Sequence, residues 1–342
     1  MLFSTISHSF LVVDDHHREY EDGLRQAVLA DELGYDFHFQ TEHHLSPFGG
    51  GGIFAMLGAI ARITNRIRFG PMVVQTPVQH PLLAAEELAV IDHISGGRLE
   101  VGVGRGYRVQ MMDQFGRAPE DLNDIHHEAL DVIRGVWTHD TFSYSGRFFQ
   151  FNDVTVLPKP LQKPFPRLWQ PVLSPPSVDY CIENKLNPFI GGQFLTDEET
   201  KQSVALWRDG VDRLGDPGVL LSGQQGCMVA ETNDEARRKF EPILRWAREF
   251  AKDLPVFPGS YFEVFRQGLE NMDLDKAVAT NVVGDPATVI ERLRFFEDLG
   301  FEHINLYMDV GAPLADVEGS MRLFAEEVMP HFKKPARASA NR

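Results

Sequence analysis

The run Arg98-Leu99-Glu100-Val101-Gly102-Val103-Gly104-Arg105-Gly106 alternates apolar Leu99, Val101 and Val103 with Glu100, Gly102 and Gly104. That is the two-residue period of a strand with one crowded apolar face and one bare face. Gly104 and Gly106 bracket Arg105, so the backbone can turn there and present a guanidinium at the strand's carboxyl end, where it suits an anion. Taken alone, the same residues also fit a tight turn carrying a surface arginine. The company they keep favours the first reading.

Upstream, Pro81 opens a helix whose buried stripe is Leu82, Ala85, Leu88, Ala89 and Ile91, and Gly96-Gly97 ends it. Ile67–Gln75 reads as a strand, but Pro71 cannot donate to a ladder, so distorted backbone is expected between Pro71 and Val74. A Gly-rich run, Gly49–Gly52, leads into a helix to about Thr64, and Tyr35–Thr41 is a strand that runs into Glu42-His43-His44. Residues 2–13 read as the first strand, Asp14-Asp15 as a helix start, and Glu19–Leu33 as a helix closed by Gly34.

Downstream, a helix from about Glu120 to Trp137 precedes an alternating aromatic segment, Phe142–Val156, that reads as an inserted surface hairpin around Ser145-Gly146. Pro158, Pro160, Pro164 and Pro166 form a stiff connection into a strand at Arg167–Val172, and a helix begins near Ser174-Pro175-Pro176-Ser177. Strands at 187–191 and 218–230 alternate with helices at about 197–214 and 233–252. Residues 253–281 lack periodicity, and so long a segment without structure is usually functional or mobile. Asp285-Pro286 caps a helix closed by Gly300, Phe301–Met308 is the eighth strand, and a last amphipathic helix ends at Pro330. Eight strands alternating with helices make a parallel sheet, and closing it gives a (β/α)8 TIM barrel of one domain, residues 1–332, with a disordered tail at 333–342. Chemistry in such a barrel sits at the carboxyl ends of the strands. His43, His44, Met72 to Gln75, Arg105 and Ser174 then surround one mouth.

The chain has 342 residues with 33 Lys plus Arg against 49 Asp plus Glu, a formal charge of -16, which argues against nucleic acid or an anionic membrane as a partner. Cys181 and Cys227 stand far apart, so neither a disulfide framework nor a zinc knuckle is indicated, and a reducing cytoplasm fits. No leader and no apolar stretch of the ~20 residues needed for a membrane span is evident.

Adjacent Glu42, His43 and His44 are natural zinc ligands, but neighbours on an extended backbone point to opposite sides and would seldom share one ion. His93, His126 and His127 fall on helices and suit local polar partners. No Gly-x-Ser-x-Gly elbow occurs, and Gly102-x-Gly104-x-Gly106 lacks the dinucleotide-binding spacing. What remains is Arg105 with a serine-rich helix start at Ser174 and Ser177, a combination suited to a phosphate.

From Glu42-His43-His44 through Ile67-Arg68-Phe69-Gly70, His80-Pro81, Ala85-Glu86-Glu87-Leu88-Ala89, Ser95-Gly96-Gly97-Arg98-Leu99 and Gly102–Gly106 to Phe115-Gly116, order and spacing resemble the bacterial-luciferase-like flavin monooxygenases. Weaker similarity extends along nearly the whole chain. The resemblance implies that reduced FMN reacts with O2 to form a C4a-peroxyflavin that attacks a small organic substrate, the reduced flavin coming from a separate NAD(P)H:flavin reductase. It makes His43 the catalytic histidine and Arg105, Ser174 and Ser177 the phosphate contacts, with Glu42, Met72 and Val73 as further cofactor contacts and a cis peptide often found at the Met72-Val73 pair. It makes 253–281 a mobile lid that shields the flavin, and it implies a homodimer through helices near 52–65 and 80–94. Two departures stand out: Asn123 occupies the place of a second phosphate arginine, and Gly104 that of a cysteine found in luciferase itself, so light emission is not implied. Relatives that use a deazaflavin for hydride transfer, or that only bind flavin, are the alternatives. Phe39, Phe48 and Tyr107 are the aromatic candidates for the mouth and weakly favour an apolar or aromatic substrate.

Overall fold

The computed structural model describes residues 1–8, 15–45, 50–106, 109–252, 254 and 261–332. Expectations for Asp14, Phe48, Gly49, Tyr107 and the tail 333–342 lie outside the described residues. In chain order the strands are β1 (Leu2–Ser7), β2 (Phe37–Gln40), β3 (Arg68–Pro71), β4 (Val74–Gln75), β5 (Val101–Gly104), β6 (Phe142–Ser145), β7 (Gln150–Val154), β8 (Leu168–Val172), β9 (Asn187–Ile190), β10 (Ser222–Val229), β11 (Val282–Gly284) and β12 (His303–Tyr307). Apart from the antiparallel β6–β7 hairpin, every pairing is parallel, and the order runs β3-β2-β1-β12-β10-β9-β8-β5-β4 with β11 beside β10. A bridge between Phe69 of β3 and Leu99, just before β5, closes the ring. With β3 and β4 counted as one interrupted stave and β11 set aside, the barrel has eight.

The single strand expected over Ile67–Gln75 is therefore two, parted by the cis peptide Met72–Val73. Leu99, Val101 and Val103 face the helical layer and join the main apolar core. Gly102 and Gly104 lie on the opposite face, and their bareness is occupied by protein: a Cβ on Gly102 would collide with the carbonyl oxygen of Pro71. Glu100, on the same face, is fully buried and accepts hydrogen bonds from Arg167 Nη2 (2.7 Å) and Trp169 Nε1 (2.6 Å), with Arg68 Nε paired to it as well. Two guanidinium groups offset the cost of burying that carboxylate. Above it, Ile6, Phe37, Phe39, Met72, Trp169 and Phe189 fill the barrel. His303 crosses the interior from Ser222 Oγ (3.1 Å) to Ser4 Oγ (2.8 Å), and burial, with the Arg167 charge, lowers its pKa to about 3.

One expectation fails clearly. Residues 253 and 255–260 are outside the described set, but the rest of the supposedly structureless 253–281 contains helices Tyr261–Glu270 and Leu274–Thr280. Phe265 and Leu269 stand four apart, so they share a helical face against Asn233–Lys252, and Asp273 caps the second helix by accepting from Lys276 N at 2.8 Å. Gly268 and the short lengths hide this periodicity in the sequence. Two further elements were not anticipated: helix Val109–Gln114 and β11. Among the described residues no helix is long and apolar enough to cross a membrane.

Candidate active site

A cavity of about 450 Å³ opens at the carboxyl ends of the strands. The ladder of β2 ends at Gln40, after which Thr41 N donates to Ser7 O (3.0 Å) and His43 N to Gly50 O (3.1 Å). These bonds hold the chain extended, so its neighbouring side chains separate. His43 lines the cavity, with its ring 6.0 Å from that of Phe250. Glu42 turns away into the protein, where Oε1 lies 3.1 Å from His44 Nε2 without good hydrogen-bond geometry. Neither Glu42 nor His44 lines the cavity, whereas Met72, Val73, Arg105, Ser174 and Ser177 do. Among the described residues no cluster of three His, Cys, Asp or Glu side chains is arranged to hold a metal.

Arg105 follows β5 directly, and its guanidinium makes no hydrogen bond or ion pair among the described residues. Partial burial alone lowers its pKa from the ordinary arginine value. Among the described residues no Asp or Glu lines the cavity, although the chain carries 49 of them. An uncompensated cation in such a setting selects for an anionic ligand.

Across the mouth, Ser174 caps the helix Pro175–Glu183. Ser177 Oγ accepts from the backbone N–H groups of Leu173 (3.1 Å) and Ser174 (3.0 Å) and donates to Ser174 O (2.7 Å). Pro175 and Pro176 supply no N–H, and that of Ser177 is taken by the Ser174 hydroxyl. The helix start therefore offers an anion its dipole, while its first amides are missing or taken and the two serine hydroxyls are bonded to each other and to Ser174 O. Asn123, Gly191, Gly192 and Gln193 complete this end.

His126 and His127 also line the cavity, beyond the structural role expected of them. His126 does bond locally, between Thr76 Oγ1 (2.7 Å) and Gln170 Oε1 (3.0 Å), and burial holds its pKa down at about 4, so it is neutral at pH 7. With Gln170 Oε1 accepting, Nε2 carries the proton and Nδ1 receives that of Thr76. His127 stacks on Tyr180 at 3.8 Å, and burial lowers its pKa too.

The other end is aromatic. Trp246 and Phe250, four apart on Asn233–Lys252, stack at 5.0 Å and 14°. A Cβ on Gly311 would stand 2.8 Å from Trp246 Cβ, so glycine there lets this helix approach the segment after β12. Phe265, Tyr307 and Val310 extend the wall, and His8 joins it from the end of β1. Phe39, an expected mouth residue, is instead buried in the barrel interior. His8, Gln170, Gln224, Trp246, Phe250 and Tyr307 were not anticipated; for His8 and Tyr307 the usable signal was their place at the carboxyl end of a barrel strand. A more open groove of about 620 Å³ lies at the opposite, amino-terminal end of the strands, near Asn187, Leu221 and Glu302, where barrels of this kind do not place their chemistry.

Comparison with known proteins agrees with this geometry. The profile of the luciferase-like monooxygenase family matches residues 1–303. The chain is 26% identical to the oxygenase component of a flavin-dependent trigonelline monooxygenase from Acinetobacter baylyi, over 98% of this chain and 96% of that protein. It is also 26% identical to an F420-dependent glucose-6-phosphate dehydrogenase from Microbacterium testaceum, over 90% and 92% of the two chains. The crystal structure of monooxygenase RslO1 from Streptomyces bottropensis superposes with a TM-score of 0.82 at 26% identity, covering 97% of this chain and all of that one. A closed parallel barrel, its cavity at the carboxyl ends of the strands and a family match over residues 1–303 lead to one conclusion: the chain belongs to the luciferase-like monooxygenases.

Proposed function

We propose that the cavity binds reduced FMN and that the protein is a flavin-dependent monooxygenase acting with O2 on a small organic substrate. The observation that carries this reading is Arg105, a cation without a counter-charge among the described residues, at one end of a cavity that no described Asp or Glu lines and whose other end is aromatic. A cavity of about 450 Å³ is within the usual range for cofactor sites of roughly 300–1,000 Å³. Arg105, Ser174 and Ser177 would hold the phosphate, with Met72 and Val73 beneath the ring. When bound, reduced FMN supplies the electrons that activate O2. His43 holds or moves a proton beside the ring, and Trp246, Phe250 and Phe265 exclude water from that region.

A separate NAD(P)H:flavin reductase would supply the reduced flavin, in keeping with a relative named as an oxygenase component. Homodimer formation through the helices Ile53–Ile63 and Pro81–Ile94 is supported by Leu83, Val90 and Ile94, apolar and exposed on one face of the second helix. Two buried thiols, Cys181 and Cys227, suit a cytoplasmic protein.

The F420-dependent relative supports a second reading, hydride transfer by a deazaflavin in the same barrel. Anaerobic titration with photoreduced FMN, followed by stopped-flow mixing with oxygen, separates the two. The monooxygenase reading expects binding and slower reoxidation of bound than of free flavin, with His43→Ala removing the difference. Tight binding without any oxygen-dependent turnover across a substrate screen would indicate flavin storage, and binding of reduced F420 in place of FMN would indicate hydride transfer.

A further inference from the structure

β1 and β12 pair with Ile6 opposite Tyr307, and continuing that register sets His8 opposite Asp309 just beyond the ladder, at the cavity. Asp309 Oδ2 accepts the backbone N–H of His8 (2.7 Å), and Oδ1 accepts from its Nδ1 (2.8 Å). Both side chains are almost buried, at 5% and 6% exposure. A carboxylate fixed at two points on one residue orients the imidazole, and with Nδ1 donating, acid–base exchange falls to Nε2. The ring stands 5.0 Å from Tyr307, whose hydroxyl donates to Gln224 Oε1 at 3.0 Å. A histidine that only packs needs no such carboxylate.

We propose that His8, positioned by Asp309, is a second base of this site and that the substrate it serves is a hydroxylated aromatic compound lying against the Trp246–Phe250 wall. The substrate class rests on the monooxygenase reading; the base does not. In the step, the substrate O–H bond breaks, its proton bonds to His8 Nε2, and the electron pair stays on oxygen as an aryloxide. The imidazolium so formed is balanced by Asp309. Loss of the proton enriches the ring in electrons, which suits it to accept an electrophilic oxygen atom. Among the described residues the lining contains no Asp or Glu to repel the aryloxide.

Among the described residues the titratable groups facing the dyad are Tyr307, His43 in the same lining, His38 in the barrel interior, which feels the Asp309 charge, and Glu19 on the helix His16–Leu33. Burial first, then the charges of Asp22 and Asp309, push the Glu19 carboxyl up to about 7.

The test uses 4-nitrophenol, whose anion is yellow and whose neutral form is not, added to the full-length protein about one pH unit below the probe's own pKa. Difference spectra are taken with and without FMN, and FMN binding and thermal midpoint are measured on each variant. The ratio of anion to neutral form is expected to be at least tenfold higher for bound probe than for free probe. His8→Gln should abolish that shift while FMN still binds, and Asp309→Asn, which keeps the shape of the pair, should reduce it. Equal ionisation in wild type and both variants overturns the proposal and leaves the flavin reading standing, as does a probe that does not bind wild type while FMN does. Ionisation that depends on His8 in a protein that fails to bind FMN upholds the base and removes the flavin reading instead.

Discussion

A Cβ placed on Gly104 would stand 2.7 Å from Cγ2 of Val73, and one on Gly102 would strike the carbonyl oxygen of Pro71. The bare face of β5 thus exists so that the backbone around Met72–Val73 can lie across it. Gly102→Ala must displace backbone, and overpacking of that kind costs roughly 1–3 kcal/mol or more. It should lower the thermal midpoint and FMN affinity together. Gly58→Ala, with nothing within 4 Å of its Cβ in the middle of a helix, should be neutral or stabilising by up to about 1 kcal/mol. Equal midpoints for the two variants would contradict this account of β5.

Arg105→Ala removes the charge and nothing that holds the fold, because no partner among the described residues depends on it. A hydrogen bond to a charged group contributes about 1.5–3 kcal/mol, so FMN affinity should fall roughly tenfold to a hundredfold. Riboflavin, which lacks the phosphate, should bind wild type and variant alike. A parallel loss for riboflavin would place Arg105 at the ring instead.

Burial holds His38 and His126 at about 4 and His303 at about 3, against an ordinary 6.5. Below pH 6.5 the unfolded chain takes up protons that the native imidazoles refuse, so stability falls as pH falls, until the native pKa values are reached. Between pH 6.5 and 5.5 each should cost about 1 kcal/mol. Urea melts at the two values check this, and His303→Asn should shrink the difference by about a third.

Leu83, Val90 and Ile94 lie on one face of Pro81–Ile94, with exposures of 58%, 42% and 43%. Leu83→Asp with Val90→Asp should convert a dimer to monomers in sedimentation velocity while the circular dichroism is unchanged. A wild-type protein that is monomeric at high concentration would end the dimer proposal.

Much of the fold was legible because its signals are local. Gly34 closes the first helix, Asp285-Pro286 opens another, and the Phe142–Val156 alternation is the β6–β7 hairpin. Arg105 could be placed at the mouth for the same reason, since a strand's period fixes which residue comes at its end. Helix Tyr261–Glu270 escaped because its apolar face is short and is completed by another helix. The two prolines after Ser174 were visible, but their consequence was not: only the capping geometry reveals that the serine hydroxyls are already engaged.

By itself the sequence determined the alternation of strands and helices, the barrel that alternation closes into, and the family motif around His43 and Arg105, all of which follow from periods and spacings a few residues long. Only the tertiary structure decided which side chains share the cavity. His8 and Asp309 are separated by almost the whole chain and meet because β1 pairs with β12, and Trp246 reaches the site because Gly311 admits its helix. Such meetings depend on strand register and on the volume left between elements, and neither quantity is written in any local pattern of residues.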